Sequence, residues 1–188
     1  QAGGGIMSTV RQTRNTSIDD LIELSKARLN AMMQLGTTTA ELKTGYGLST
    51  EAETRQMQTI CALRERLAMR IVPTFLGAHT VPPEFENAKS YLESIFTETL
   101  PSIETVCKQY SVPFFIDIFV EEGVFAVEHM RSLFSVAQEQ GIPLKVHADQ
   151  FEHLGAVPIA VEMNATSVDH LEVTPQSDLN ILAQSETI

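Results

Sequence analysis

Short β-type runs alternate about five times with longer amphipathic stretches, and this alternation confines the chain to a parallel α/β architecture. The strand candidates are Thr37 to Leu42, Arg70 to Leu76, Phe114 to Val120, Leu144 to Ala148 and Ala165 to His170. The first helical pattern places Ile18, Leu21, Ile22, Leu29, Met32 and Met33 on one face, with Ser17 as its cap and Gly36 as its end. A second starts with Thr50 and Glu53 in capping-box spacing. A third occupies much of Pro83 to Gln109, with a break expected at Pro101. A fourth runs from about Val124 to Gln140 and closes at Gly141; others follow Gly155 and Pro175.

The strand runs, such as I-V-P-T-F-L and F-F-I-D-I-F-V, are apolar on both alternating faces. Helices must then cover one side of the sheet, with a packed interior on the other. Nearly every strand run ends in a polar or glycine-rich cluster: K-T-G-Y-G, L-G-A-H, V-E-E-G, H-A-D-Q and D-H-L-E. A site fed by five successive strand ends points to a barrel, because an open sheet gathers its ligand at one switch point. No internal linker or repeat interrupts the pattern, so residues 1–188 are expected to form a single domain. That length falls short of the roughly 250 residues of a complete (β/α)8 barrel.

A net charge of −11 argues against nucleic acid or an anionic membrane surface as partner. No apolar run approaches the ~20 residues that span a bilayer. The opening Q-A-G-G-G-I-M-S-T-V lacks the features of a signal peptide, and its triple glycine at 3 to 5 reads as flexible. Cys61 and Cys107 form no C-x-x-C and read as reduced packing residues, which fits a cytoplasmic protein.

The chemistry is concentrated near the end of the chain. His147 in L-K-V-H-A-D-Q and His170 in T-S-V-D-H-L-E each close a β-type run. If the two runs are neighbouring strands, both imidazoles face one mouth, where one can hold a metal and the other move a proton. A lone histidine in such a place is more often a hydrogen-bonded core residue; the pair brings the two readings level. Asp149 and Gln150 follow His147; Gln150 can donate and accept to an amide-like ring, or simply make a loop contact. Asp169 either orients His170 or faces the other way on its strand. His79, at the end of F-L-G-A-H, and Tyr46, between two glycines in T-G-Y-G, read as ligand contacts. His129 and His153 lie in helix-like segments without polar company and read as surface or packing residues.

Taken together, the stretches A-G-G-G-I-M-S-T-V-R-Q-T-R (2 to 14), G-T-T-T-A-E-L-K-T-G-Y-G-L (36 to 48), R-I-V-P-T-F-L-G-A-H-T-V-P-P-E (70 to 84), K-V-H-A-D-Q (145 to 150) and S-V-D-H-L-E (167 to 172) resemble the imidazolonepropionase family of metal-dependent amidohydrolases. The resemblance implies a TIM barrel with a small β-domain built from the chain ends. It implies hydrolysis of the ring amide of 4-imidazolone-5-propanoate to N-formimidoyl-glutamate in histidine degradation, with a zinc or iron ion as cofactor. Carried over residue by residue, His147 resembles a metal ligand and His170 a catalytic acid/base. Gln150 would contact the ring or relay protons, and Tyr46 and His79 resemble substrate-binding residues. A cytoplasmic homodimer acting on a small molecule is the expected setting.

Departures from the family pattern accompany the matches. The H-x-H motif, the arginine after it and the aspartate of the last strand are not in these 188 residues, so most metal ligands are missing. The expectation is a partial barrel of about strands 2 to 6, without the small β-domain and inactive by itself. The alternatives are another cyclic-amide hydrolase or deaminase on the same scaffold, or a non-catalytic binding domain.

Overall fold

The computed structural model describes residues 5–188, so glycines 3 and 4 of the run read as flexible lie outside the described residues. The strands are β1 (Thr39–Lys43), β2 (Arg70–Ala78), β3 (Phe115–Val120), β4 (Leu144–Ala148) and β5 (Ser167–His170). The helices are α1 (Ile6–Asn15), α2 (Ile18–Gln34), α3 (Thr50–Arg66), α4 (Ala88–Ser94), α5 (Leu100–Gln109), α6 (Val127–Glu139), α7 (Ala156–Glu162) and α8 (Gln176–Leu182). Two compact units result: residues up to Gly77 together with Thr97–Phe114, and Ala78–Phe96 together with Phe115–Ile188. No helix among the described residues is long and apolar enough to cross a membrane.

In the first unit β1 and β2 pair in parallel, from Thr39 opposite Arg70 to Lys43 opposite Thr74. Ile22, Leu29, Ile60, Leu63, Met69 and Ile71 fill the space between this pair and its helices. The Ser17 side chain accepts from Asp20 N at 3.1 Å to start α2, as expected from the spacing. The start of α3 differs. Ser49, not Thr50, is the cap, and Glu53 turns away from a capping box to bind the preceding loop. Helix α1 was not expected, because its run is mostly polar and only Val10 is buried. Long-range polar contacts hold it instead: Arg55 Nη2 donates to Arg14 O at 2.8 Å, and Arg14 Nε donates to Gly47 O at 2.6 Å.

The third helical pattern is two helices, α4 and α5, joined by one π turn at Ile95–Thr99. Pro101 sits in the first turn of α5, where its missing N–H costs nothing, and the widened turn absorbs the break. Cys61 and Cys107 are free and buried on α3 and α5. The Cys107 thiol hydrogen-bonds to Cys61; that bond first, then burial, pushes the Cys107 thiol up.

In the second unit β3, β4 and β5 run parallel, with Ile116 opposite Leu144 and Lys145 opposite Ser167 at their starts. Ile116, Ile118, Val146, Leu133, Phe134 and Ala160 are fully buried. Helix α6 begins at Val127, three residues later than its sequence pattern suggests. The cause is local: Glu121 N donates to Phe125 O at 3.1 Å, closing a turn that keeps residues 121–125 out of the helix. His129 then accepts from Ala126 N at 3.0 Å through Nδ1, so this histidine caps a helix instead of merely packing.

Both thiols are expected to resist a disulfide exchange reagent such as Ellman's at pH 8 in the folded chain and to react only on unfolding. Rapid stoichiometric labelling under native conditions would show that the α3–α5 packing is wrong.

Candidate functional site

Register places the site. Phe119, His147 and Asp169 are direct neighbours on β3, β4 and β5, so their side chains leave one face of the sheet in a row. The Phe119 ring meets the His147 ring edge-on, with centroids 6.4 Å apart. His147 Nε2 lies 3.6 Å from Asp169 Oδ2, and His147 Nδ1 lies 3.0 Å from Asp117 Oδ1. Asp117 precedes Phe119 by two and shares its face, but it is completely buried. Donor atoms of Asp117, His147 and Asp169 all fall within 4.8 Å of one another.

His170 joins this group by a change of backbone hand. As the residue after Asp169 it would point to the opposite face if the strand continued. Instead His170 and Leu171 take φ values of 86° and 70°, in the left-handed region that costs an ordinary side chain about 1–3 kcal/mol. The turned imidazole lies 5.3 Å, centroid to centroid, from that of His147, and 6.3 Å from Phe119. The expected juxtaposition of His147 and His170 is therefore present. Its orienting carboxylate is Glu172, whose Oε1 is 3.2 Å from His170 Nδ1, while Asp169 faces His147. His79, just past β2, brings its ring within 6.1 Å of Phe119, so three imidazoles surround one phenyl ring.

Gln150 lies half-buried on the loop after β4, with no side-chain hydrogen bond among the described residues. The loop itself is anchored. Buried Glu121 accepts from Phe151 N at 2.9 Å and from Glu152 N at 3.2 Å. Asp149, buried and left-handed, accepts from Thr174 Oγ1 at 2.8 Å. His153, expected at the surface or in packing on a helix-like segment without polar company, is exposed but sits in this loop, 3.3 Å from Asp149 Oδ2 and 3.7 Å from Asp178 Oδ2.

Tyr46 belongs to the first unit and is partly exposed there. Its T-G-Y-G turn is held by one buried carboxylate: Glu53 accepts from Gly45 N at 2.9 Å, Gly47 N at 2.7 Å and Leu48 N at 2.8 Å. A Cβ at position 47 would come 2.7 Å from Ala52, so only glycine lets the turn approach α3 this closely. Sequence reading missed Asp117, Asp169 and Glu53 in these roles. For Asp117 the available signal was an acid inside an apolar run, which must find a partner when buried.

Sequence comparison with curated proteins bears on what such a site belongs to. The chain is 42% identical to imidazolonepropionase of Herpetosiphon aurantiacus over 191 residues, which cover 100% of this chain and 45% of that protein. It is 42% identical to the Chloroflexus aggregans imidazolonepropionase and 44% identical to that of Rubrobacter xylanophilus, over 100% and 99% of this chain. Over its whole length the chain is similar to these imidazolonepropionases. It spans about 45% of the length of these relatives. No family model matches the chain. The crystal structure of adenine deaminase from Arthrobacter aurescens superposes on 94% of this chain, which covers 52% of that protein's chain, with a TM-score of 0.61 at 14% identity. The fold class is thus α/β, a partial barrel of parallel β/α units.

Replacing Glu53 by Gln removes an ionised acceptor from a site where each such bond is worth about 1.5–3 kcal/mol. Amide exchange at Gly45, Gly47 and Leu48 is expected to accelerate by one to two orders of magnitude at unchanged overall fold. Unaltered protection of these three amides would remove Glu53 from its role.

Proposed function

We propose that this chain supplies part of the active site of a metal-dependent cyclic-amide hydrolase, acting on 4-imidazolone-5-propanoate to release N-formimidoyl-glutamate. One observation carries the reading: His147 and His170 meet at the ends of neighbouring strands, 5.3 Å apart, on a chain that matches imidazolonepropionases throughout.

The donor chemistry suits a metal. An imidazole nitrogen and a carboxylate oxygen 3.6 Å apart are close to the ~3.4 Å expected of two tetrahedral ligands at about 2.1 Å from zinc. His147 Nε2 is the first donor and Asp169 Oδ2 a second; both also suit iron. When bound, such an ion acidifies water towards a pKa near 7 and polarises a carbonyl oxygen.

The chain's own groups then have distinct tasks. His170 exchanges a proton with the departing ring nitrogen, its Nδ1 side steadied by Glu172. Gln150 offers its amide to the ring, as donor and acceptor together. His79 reaches the substrate's oxygen or carboxylate, and Tyr46 is a substrate-binding residue by the resemblance of its T-G-Y-G turn. Phe119 packs its ring against all three imidazoles and limits the orientations open to them. A cytoplasmic homodimer completes the reading, and the net charge of −11 supports a small-molecule substrate over nucleic acid.

Because H-x-H is not among these residues, the 188-residue chain assayed alone with substrate and Zn²⁺ is expected to bind the metal loosely and to turn nothing over. Grafted between the flanking segments of the Herpetosiphon aurantiacus relative, it is expected to hydrolyse the substrate. In that chimera His170→Ala should lower kcat about 10²- to 10⁴-fold. A folded chimera without activity, or one indifferent to His170→Ala, would contradict the reading.

A further inference from the structure

We infer that Asp117 is a positioning residue: its buried carboxylate fixes the tautomer and ring plane of His147 so that the Nε2 lone pair faces the mouth beside Asp169. The inference rests on the metal-site reading only for its purpose, since the geometry exists without a metal.

Asp117 is an acid enclosed in the most apolar strand of the second unit, between Ile116 and Ile118, and all three are 0% exposed. An acid in such a place survives when a donor meets it. His147 meets it: Nδ1 lies 3.0 Å from Asp117 Oδ1. A carboxylate only accepts, so the proton of the neutral ring sits on Nδ1 and Nε2 carries the free lone pair. Asp169 approaches the ring from its other edge, at 3.6 Å from Nε2. That is too long for a hydrogen bond and suits a shared cation. The two carboxylates therefore divide the imidazole between them. Asp117 Oδ1 is engaged at the Nδ1 edge of the ring, opposite the edge that faces Asp169. Asp117 thus stands behind the ligand and Asp169 beside it. Histidines that bind metals commonly donate their second N–H to a carboxylate, which fixes the ring and strengthens the bond to the ion. Phe119, edge-on to the same ring at an interplanar angle of 86°, limits its tilt.

The test is two-bond ¹H–¹⁵N correlation of the imidazoles in the whole ¹⁵N-labelled chain, metal-free at pH 8, with Asp117→Asn beside it. Zinc chloride is then titrated into both. The expected result is a Nδ1–H, bare-Nε2 tautomer for His147. The Asn variant should show a mixed or reversed tautomer with an otherwise preserved amide spectrum. Zinc should shift Nε2 of His147, with an affinity about 10- to 100-fold weaker in the variant. A Nε2–H tautomer in the parent chain overturns the inference, and so does a variant with the same tautomer and the same zinc affinity. If Asp117→Asn does not fold, the parent tautomer decides by itself. A parent chain with the expected tautomer that takes up no zinc even at millimolar concentration supports the positioning role; the metal-dependent reading falls only if the chimera with the flanking segments also takes up none.

Discussion

Buried carboxylates facing backbone or ring N–H groups are the interaction on which the loops of each unit depend. Glu53 gathers three amides of the T-G-Y-G turn, Glu121 gathers two amides of the loop carrying Gln150, and Asp117 faces the His147 ring. Loops at strand ends would otherwise be the least ordered part of a β/α unit. A desolvated anion meeting several amides is worth a few kcal/mol per contact and leaves those amides no second partner of equal strength. Removing one member leaves the others buried and unpaired, so each cluster behaves as a unit.

The same arrangement explains how a parallel sheet presents two adjacent imidazoles. Strand pleating sends alternate residues to opposite faces, so His147 and Asp169 share a face by register alone. His170 reaches that face only because the chain leaves β5 through two successive left-handed residues. Strain of this kind persists where surrounding contacts over-determine it. Here Leu171 N donates to Ala148 O at 3.2 Å and Val173 N to Asp149 O at 3.0 Å, tying the turn to the end of β4. The mouth of the second unit is thus assembled by neighbouring strands that fix one another's exits.

Much of this was legible in the residues themselves. The strand runs appear where apolar alternation and β-branched residues placed them: Leu144–Ala148 matches in full, and the others shift by a few residues. Burial on both faces leaves little freedom in such runs. The pairing of His147 with His170 was also readable, because each closes a strand run. Helix α1 was not, since tertiary hydrogen bonds from Arg14 and Arg55 stabilise it in place of an apolar stripe. Neither were the partners of Glu53 and Asp117. A carboxylate's partner depends on which loop folds back over it, and sequence spacing does not record that. The surface position of His153 was readable, but its carboxylate neighbours at positions 149 and 178 were not.

The central claim is that two imidazoles from adjacent strands share one mouth. The most direct measurement is a nuclear Overhauser effect between carbon-bound ring protons of His147 and His170 in the selectively histidine-labelled chain. Centroids 5.3 Å apart predict a clear cross-peak, together with cross-peaks from both rings to Phe119. Two well-resolved rings that each contact Phe119 or other residues but never one another would contradict the account.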